Sequence, residues 1–145
     1  MQFEYPEDRE FFANLLTDGD QKKLSKFKDY FDFRSPKVKR EEYNLMRDAL
    51  FQKIIKRDGY VCRLTISPRC LRDRELQIDH VIPLSTNIIN KTTRRMKALP
   101  GKKVAAQSFG SNYLGNLIFA CRECNREKWH RFLDRETLQR VLKSI

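Results

Sequence analysis

The chain has 145 residues, 40% of them hydrophobic and 34% charged, with a formal net charge of +11. That length suits one domain, or one domain with a helical appendage, and is too short for two. No apolar run approaches the ~20 residues of a membrane span, and the N-terminus lacks the basic and apolar regions of a signal peptide, so a cytoplasmic protein with no membrane partner is expected.

The charge is unevenly placed. Residues 1–33 hold eight Asp/Glu and five Lys/Arg, a net of −3, whereas residues 34–145 hold twenty-five Lys/Arg and eleven Asp/Glu, a net of +14. A basic excess of that size is expected of a polyanion binder, because each phosphate neutralised releases condensed counterions. Charge alone fits a merely basic soluble protein equally well.

In chain order, Pro6 opens an apolar pattern of Phe11, Phe12, Leu15 and Leu16 that stops at Thr17-Asp-Gly-Asp20. A second helical pattern follows through Leu24, Phe27, Tyr30 and Phe31, with Asp20 placed to cap it. These aromatics are expected in the core or at a docking contact. Residues 34–40 read as a basic linker. Residues 41–57 form the clearest helix, with Met46, Leu50, Phe51, Ile54 and Ile55 on one stripe and Gly59 closing it. Arg47, Lys53, Lys56 and Arg57 lie on its other side, as a solvated face or a DNA contact.

From Tyr60 the period changes. Residues 60–66 and 75–82 are short and β-branched, which predicts two strands joined through Ser67-Pro68. Residues 86–111 carry six Lys/Arg and no Asp, Glu or His, and read as a basic insertion with a binding role. Residues 116–120 suit a short strand or a turn entry. A helix is expected from Cys124 through Arg131. A last helix follows, capped by Asp134, with Leu133 and Leu138 as a hydrophobic staple.

Four cysteines stand at 62, 70, 121 and 124. In a reducing compartment such a set more often binds metal than forms disulfides. Cys121-x2-Cys124 is half of a zinc site, and the wider Cys62-x7-Cys70 can still bring two thiolates together. The alternative is four buried thiols.

The chemistry concentrates in LQIDHVIPLS at 76–85 and NLIFACRECNREK at 116–128. Cleaving a phosphodiester needs an activated water, charge stabilisation at phosphorus and help for the departing 3′-oxygen. Imidazole suits the first need, and a divalent cation the other two. His80 supplies the base. Asp79 supplies one oxygen ligand, provided that the strand ends or bends beside it, since strand neighbours point to opposite faces. Asn125 can offer its amide oxygen to the same cation, and Lys128, three residues on, can meet a phosphate. Oxygen ligands of this kind favour Mg²⁺ or Mn²⁺. Asn116 is placed to fix the tautomer of His80. His130, the only other histidine, is expected to pack or to contact phosphate.

These residues resemble the HNH (ββα-metal) endonuclease family: a Cys pair, an LxxDHxxPLS segment, an Asn-Leu segment and a terminal CxxCNxxK, together covering residues 60–130. The resemblance implies an α+β fold with a ββα-metal core, N-terminal helices and a C-terminal helix. Residues 1–40 would be a helical extension and linker, and 41–145 the nuclease domain. It implies that His80 activates water, that Asp79 and Asn125 bind the catalytic cation, that Asn116 orients His80, and that Cys62, Cys70, Cys121 and Cys124 hold structural Zn²⁺. Two features depart from the family pattern. Cys62 and Cys70 stand where many relatives have CxxC, and the interval from His80 to Asn116 is longer than usual. The insertion is therefore expected to be this chain's own DNA-binding element, with Arg94, Arg95, Lys102 and Lys103 on phosphates. The third motif letter is Asn125 rather than His, a variant that the family allows.

The leading expectation is a metal-dependent DNA endonuclease leaving a 3′-hydroxyl. A zinc-braced nucleic-acid-binding module without cleavage is the alternative, and an effector subunit docked to a larger complex through residues 1–33 is compatible with either. A double-strand cut by one small site calls for a homodimer.

Overall fold

Two prolines start the two N-terminal α-helices. In the computed structural model, which describes residues 1–84, 108–129 and 131–143, α1 runs Pro6–Thr17 and α2 runs Pro36–Asp58. Proline costs nothing at the first helical position, where its missing N–H has no partner anyway. Glu7 and Asp8 add favourable charge to the first turn of α1. That helix ends where Asp18 turns left-handed, at φ 57°, and donates its N–H to Ala13.

The second helical pattern takes the form of a 3-10 helix over Lys23–Tyr30; Asp20 accepts the N–H groups of Lys22 and Lys23 ahead of it. The basic stretch 34–40 is no linker either. Ser35 accepts the Val38 N–H and caps α2, so the division drawn at residues 40 and 41 falls inside a continuous helix.

Leu50 and Ile54 bury their side chains beneath α2, whereas Met46, expected on the same stripe, is 41% exposed. Arg57 is no free basic group. Half-buried, it donates to the carbonyls of Leu114 and Leu117 and pairs with Asp58.

The predicted strand over residues 60–66 is absent. Thr65 adopts φ 45°, which no strand accommodates, and the backbone bonds run from Cys62 N–H to Arg72 and from Arg63 N–H to Phe119. The sheet is instead β1, Leu76–His80, antiparallel to β2, Leu117–Cys121, in the register Leu76↔Cys121 to His80↔Leu117. Every residue of β2 is buried, so it reads as a continuous apolar run without alternation. Helix α3, Arg122–Lys128, follows β2 directly and ends before the expected Arg131; α4 spans Arg135–Lys143. Asp134 caps α4 through the Thr137 N–H, with Leu133 and Leu138 both buried. The fold is α+β: helices around one small antiparallel sheet.

One core joins α2, the sheet and α4 through Ile54, Leu117, Phe119 and Val141. A second is aromatic. Phe12 is fully buried, with ring centroids 4.8 Å from Phe31, 4.9 Å from Phe109 and 5.3 Å from Phe132. Burying one such ring contributes about 1.5–3 kcal/mol. The N-terminal segment is thereby packed onto residues that follow β1 and α3, and its aromatics are used within the chain. Among the described residues, no helix is long and apolar enough to cross a membrane.

Candidate active site and metal centre

His80 is the last residue of β1, and two asparagines shape its surroundings. Past it the strand pairing ends: Val81 donates its N–H to the Asn116 carbonyl at 2.8 Å. The fully buried Asn116 side chain accepts the Ile82 N–H at 2.8 Å and donates to the carbonyls of Ile82 (3.1 Å) and Ser111 (2.8 Å). A buried amide must satisfy its donors and acceptor, and here backbone takes all three bonds. Asn116 therefore does not touch the imidazole as expected. It fixes the turn that carries it.

The ring contact belongs to Asn112, whose Oδ1 lies 2.9 Å from His80 Nε2 and whose Nδ2 donates to the Lys39 carbonyl at 2.8 Å. The Tyr43 ring meets the imidazole edge-on at 5.3 Å. Desolvation pushes the His80 pKa below its usual value, partly opposed by Asn112 and the Asp79 charge, which favours the neutral ring. Neither Asn112 nor Tyr43 stood out in the sequence. Asn112 lies in a turn-like run, Ser-Asn-Tyr-Leu-Gly-Asn, and only the tertiary fold brings α2 to it.

Asp79 turns toward α3. Its Oδ2 lies 2.8 Å from Lys128 Nζ, out of hydrogen-bond alignment, while the same ammonium donates to the His80 carbonyl at 2.7 Å. Lys128 is buried, so it is not available to meet a phosphate as expected. Asn125 donates to Gln77 Oε1 at 3.0 Å, and its amide oxygen accepts no hydrogen bond among the described residues. Gln77, Asp79 and Asn125 line one open depression together with Arg122, Arg126 and Trp129. The period of two along β1 sets Gln77 and Asp79 on one face.

The four cysteines meet in a second cluster. Their sulfurs all lie within 4.8 Å of one another, with Cys70 and Cys121 at 3.8 Å. That separation is far too long for a disulfide and matches the edge of a tetrahedron with Zn–S bonds of about 2.3 Å. The wide Cys62–Cys70 spacing works because its loop folds back: Cys62 bonds to Arg72, and the Ser67 and Leu71 N–H groups point at Cys124 and Cys121 sulfur. Burial pushes Cys124 up to about 12 and raises Cys62 as well. Cys121 falls to about 7 despite its burial, through N–H bonds from Cys124 and Leu71. The quartet can bind a metal such as zinc. Among the described residues it is the only cluster of three or more His, Cys, Asp or Glu side chains that could.

The expected phosphate contacts Arg94, Arg95, Lys102 and Lys103 lie outside the described residues, as does His130. No family model, curated protein or solved structure matches the chain.

Proposed function

We propose that the chain is a metal-dependent endonuclease of the HNH (ββα-metal) kind, hydrolysing phosphodiester bonds in DNA. One observation carries the reading. A part-buried imidazole held by Asn112 ends β1 next to a carboxylate that shares a depression with Asn125 of α3, and the cysteine quartet joins the loop before β1 to the start of α3.

In this reading His80 takes a proton from the attacking water. Asp79 and Asn125 would hold Mg²⁺ or Mn²⁺, to which their hard oxygen donors are suited. When bound, such an ion stabilises negative charge on the scissile phosphate and on the departing 3′-oxygen. Arg122 and Arg126 border the same depression and supply positive charge for the substrate backbone. Asn116 holds the turn after β1 so that His80 keeps its place. The four cysteines would hold a structural Zn²⁺, fixing α3, and with it Asn125, against β1.

The Lys128–Asp79 contact favours a second reading, in which the ammonium takes the cation's place and the chain binds nucleic acid without cutting it. Incubation of supercoiled plasmid with the wild type and with His80→Ala, in Mg²⁺, Mn²⁺ or EDTA, separates the two. Nicking or linearisation by the wild type in metal alone, reduced about 10²–10⁴-fold in the folded variant, is expected. Retention of DNA without cleavage in either metal would establish the binding module instead.

A further inference from the structure

The imidazole of His80 has one nitrogen with a fixed partner. Asn112 Nδ2 faces the Lys39 carbonyl, which can only accept, so the amide cannot be turned over without setting two oxygens together. Its Oδ1 therefore faces Nε2 at 2.9 Å, and a neutral ring bonded there must carry its proton on that nitrogen.

The amide is itself held firmly. Lys39 in the first turns of α2 donates to the carbonyls of Asp32 and Gly110, both at 2.6 Å. Gly110 lies so close to the turn after β1 that a Cβ there would stand 1.9 Å from the Ile82 carbonyl oxygen. Ser111 donates to Asp29 through its hydroxyl and to Tyr30 through its N–H, the latter at 3.1 Å. Three separate segments thus fix the backbone on either side of Asn112.

We propose that Asn112 is a positioning residue that holds His80 in the Nε2–H tautomer, leaving Nδ1 as the nitrogen that accepts the proton of the attacking water. The proposal rests on the nuclease reading for the reaction and on the Asn112–Lys39 geometry for the tautomer. In the step, a water proton passes to Nδ1 and the water oxygen forms the new bond to phosphorus. The bond to the 3′-oxygen breaks with its electron pair, solvent protonates that oxygen, and the imidazolium returns its extra proton to solvent. Throughout, the Nε2–H stays on Asn112, which also stabilises the transient positive ring.

Long-range ¹H–¹⁵N correlation spectra of the labelled full chain read the tautomer directly, because bare and protonated ring nitrogens resonate far apart. The chain has two histidines, and a His130→Gln variant assigns them. The wild type should show a protonated Nε2 and a bare Nδ1 on His80. Asn112→Ala should lose that preference and lower kcat about 10- to 100-fold, the usual effect of removing an orienting partner, with KM for plasmid unchanged. A free neutral imidazole already leans toward Nε2–H, so the reading is the change from a single tautomer to the averaged ring of free histidine. A wild type protonated on Nδ1 overturns the proposal, and so does an Asn112→Ala ring held as fully in one tautomer as the wild type, whatever happens to cleavage. If Asn112→Ala does not fold, the wild type decides through its Nε2 proton, which a bond to Asn112 shields from solvent exchange; rapid exchange of that proton overturns the proposal. The spectrum needs no turnover, so a wild type inactive with metal would sink the nuclease reading and leave the tautomer assignment standing.

Discussion

Lys128 reaches from the end of α3 to the end of β1, where its ammonium stands 2.8 Å from Asp79 Oδ2, with its own side chain 1% exposed and that of Asp79 13%. A buried pair of this kind is weak evidence for stability as a whole, yet removing one partner leaves a desolvated charge behind. Lys128→Met should therefore destabilise the chain, by about 3 kcal/mol at the lower end of what breaking a buried pair costs, because Asp79 retains some solvent. If Asp79 is also a cation ligand, Mg²⁺ at ten times its dissociation constant should return about 1.4 kcal/mol to the variant. Urea unfolding with and without Mg²⁺ measures both effects. A variant as stable as the wild type would show the pairing to be superficial, and one indifferent to Mg²⁺ would remove Asp79 from the cation site.

That pairing also marks how far the sequence could be read. His80, Asp79, Asn125 and the cysteines were legible because their side-chain chemistry is rare and clustered, and clustering survives in one dimension. Lys128 was legible as a neighbour of Asn125 but not as its opposite in exposure, because the burial of a lysine depends on what packs over it. The strand at residues 117–121 was legible only as a strand or a turn entry, because burial on both faces erases the alternation by which half-buried strands are known. Residues 60–66 imitated a strand through Val61, Leu64 and Ile66, while the fold bends them into a loop that gathers Cys62 and Cys70. The contact with His80 expected of Asn116 is made by Asn112, four residues earlier, because only the tertiary fold decides which of two nearby asparagines meets the ring.

The cysteine quartet should carry one Zn²⁺ per chain. Elemental analysis of freshly purified protein measures occupancy, and thermal melting with a strong chelator measures linkage, since structural zinc contributes directly to folding free energy. Cys124→Ser should lower both occupancy and melting temperature. Zinc-free protein whose melting ignores the chelator would leave four buried thiols as the account of this core.

Lys39 gives a pH signature independent of catalysis. Burial lowers its pKa from 10.5 to about 8, with Asp32 acting in the opposite sense. Below pH 8 the folded and unfolded chains both hold this proton, and the full cost of the buried charge applies. Between about 8 and 10.5 the folded chain releases it first, so the unfolded state binds more protons and stability rises with pH from this group. Relative to Lys39→Met, the wild type should gain up to about 3 kcal/mol across that window. Unfolding free energies of the two proteins at matched pH values provide the test, and a difference that stays flat would place the ammonium in water.

The last expectation concerns the basic insertion, whose residues 91–103 carry six Lys/Arg without an acidic group or histidine. Such a segment offers positive charge for phosphates and no catalytic chemistry, so it should hold DNA rather than cut it. Neutralising Arg94, Arg95, Lys102 and Lys103 together would release up to four phosphates. The slope of log K against log salt should then become shallower by up to about 0.9 for each phosphate released on duplex DNA. Affinity should fall on all sequences alike, because binding to phosphates carries no base information. Cleavage at saturating DNA should persist, since His80, Asp79 and Asn125 are untouched. Fluorescence anisotropy across a salt series, with single-turnover cleavage at saturating protein, measures the two quantities separately. A slope equal to that of the wild type would show that these residues face away from the substrate, and abolished cleavage despite full binding would make the insertion part of the active site.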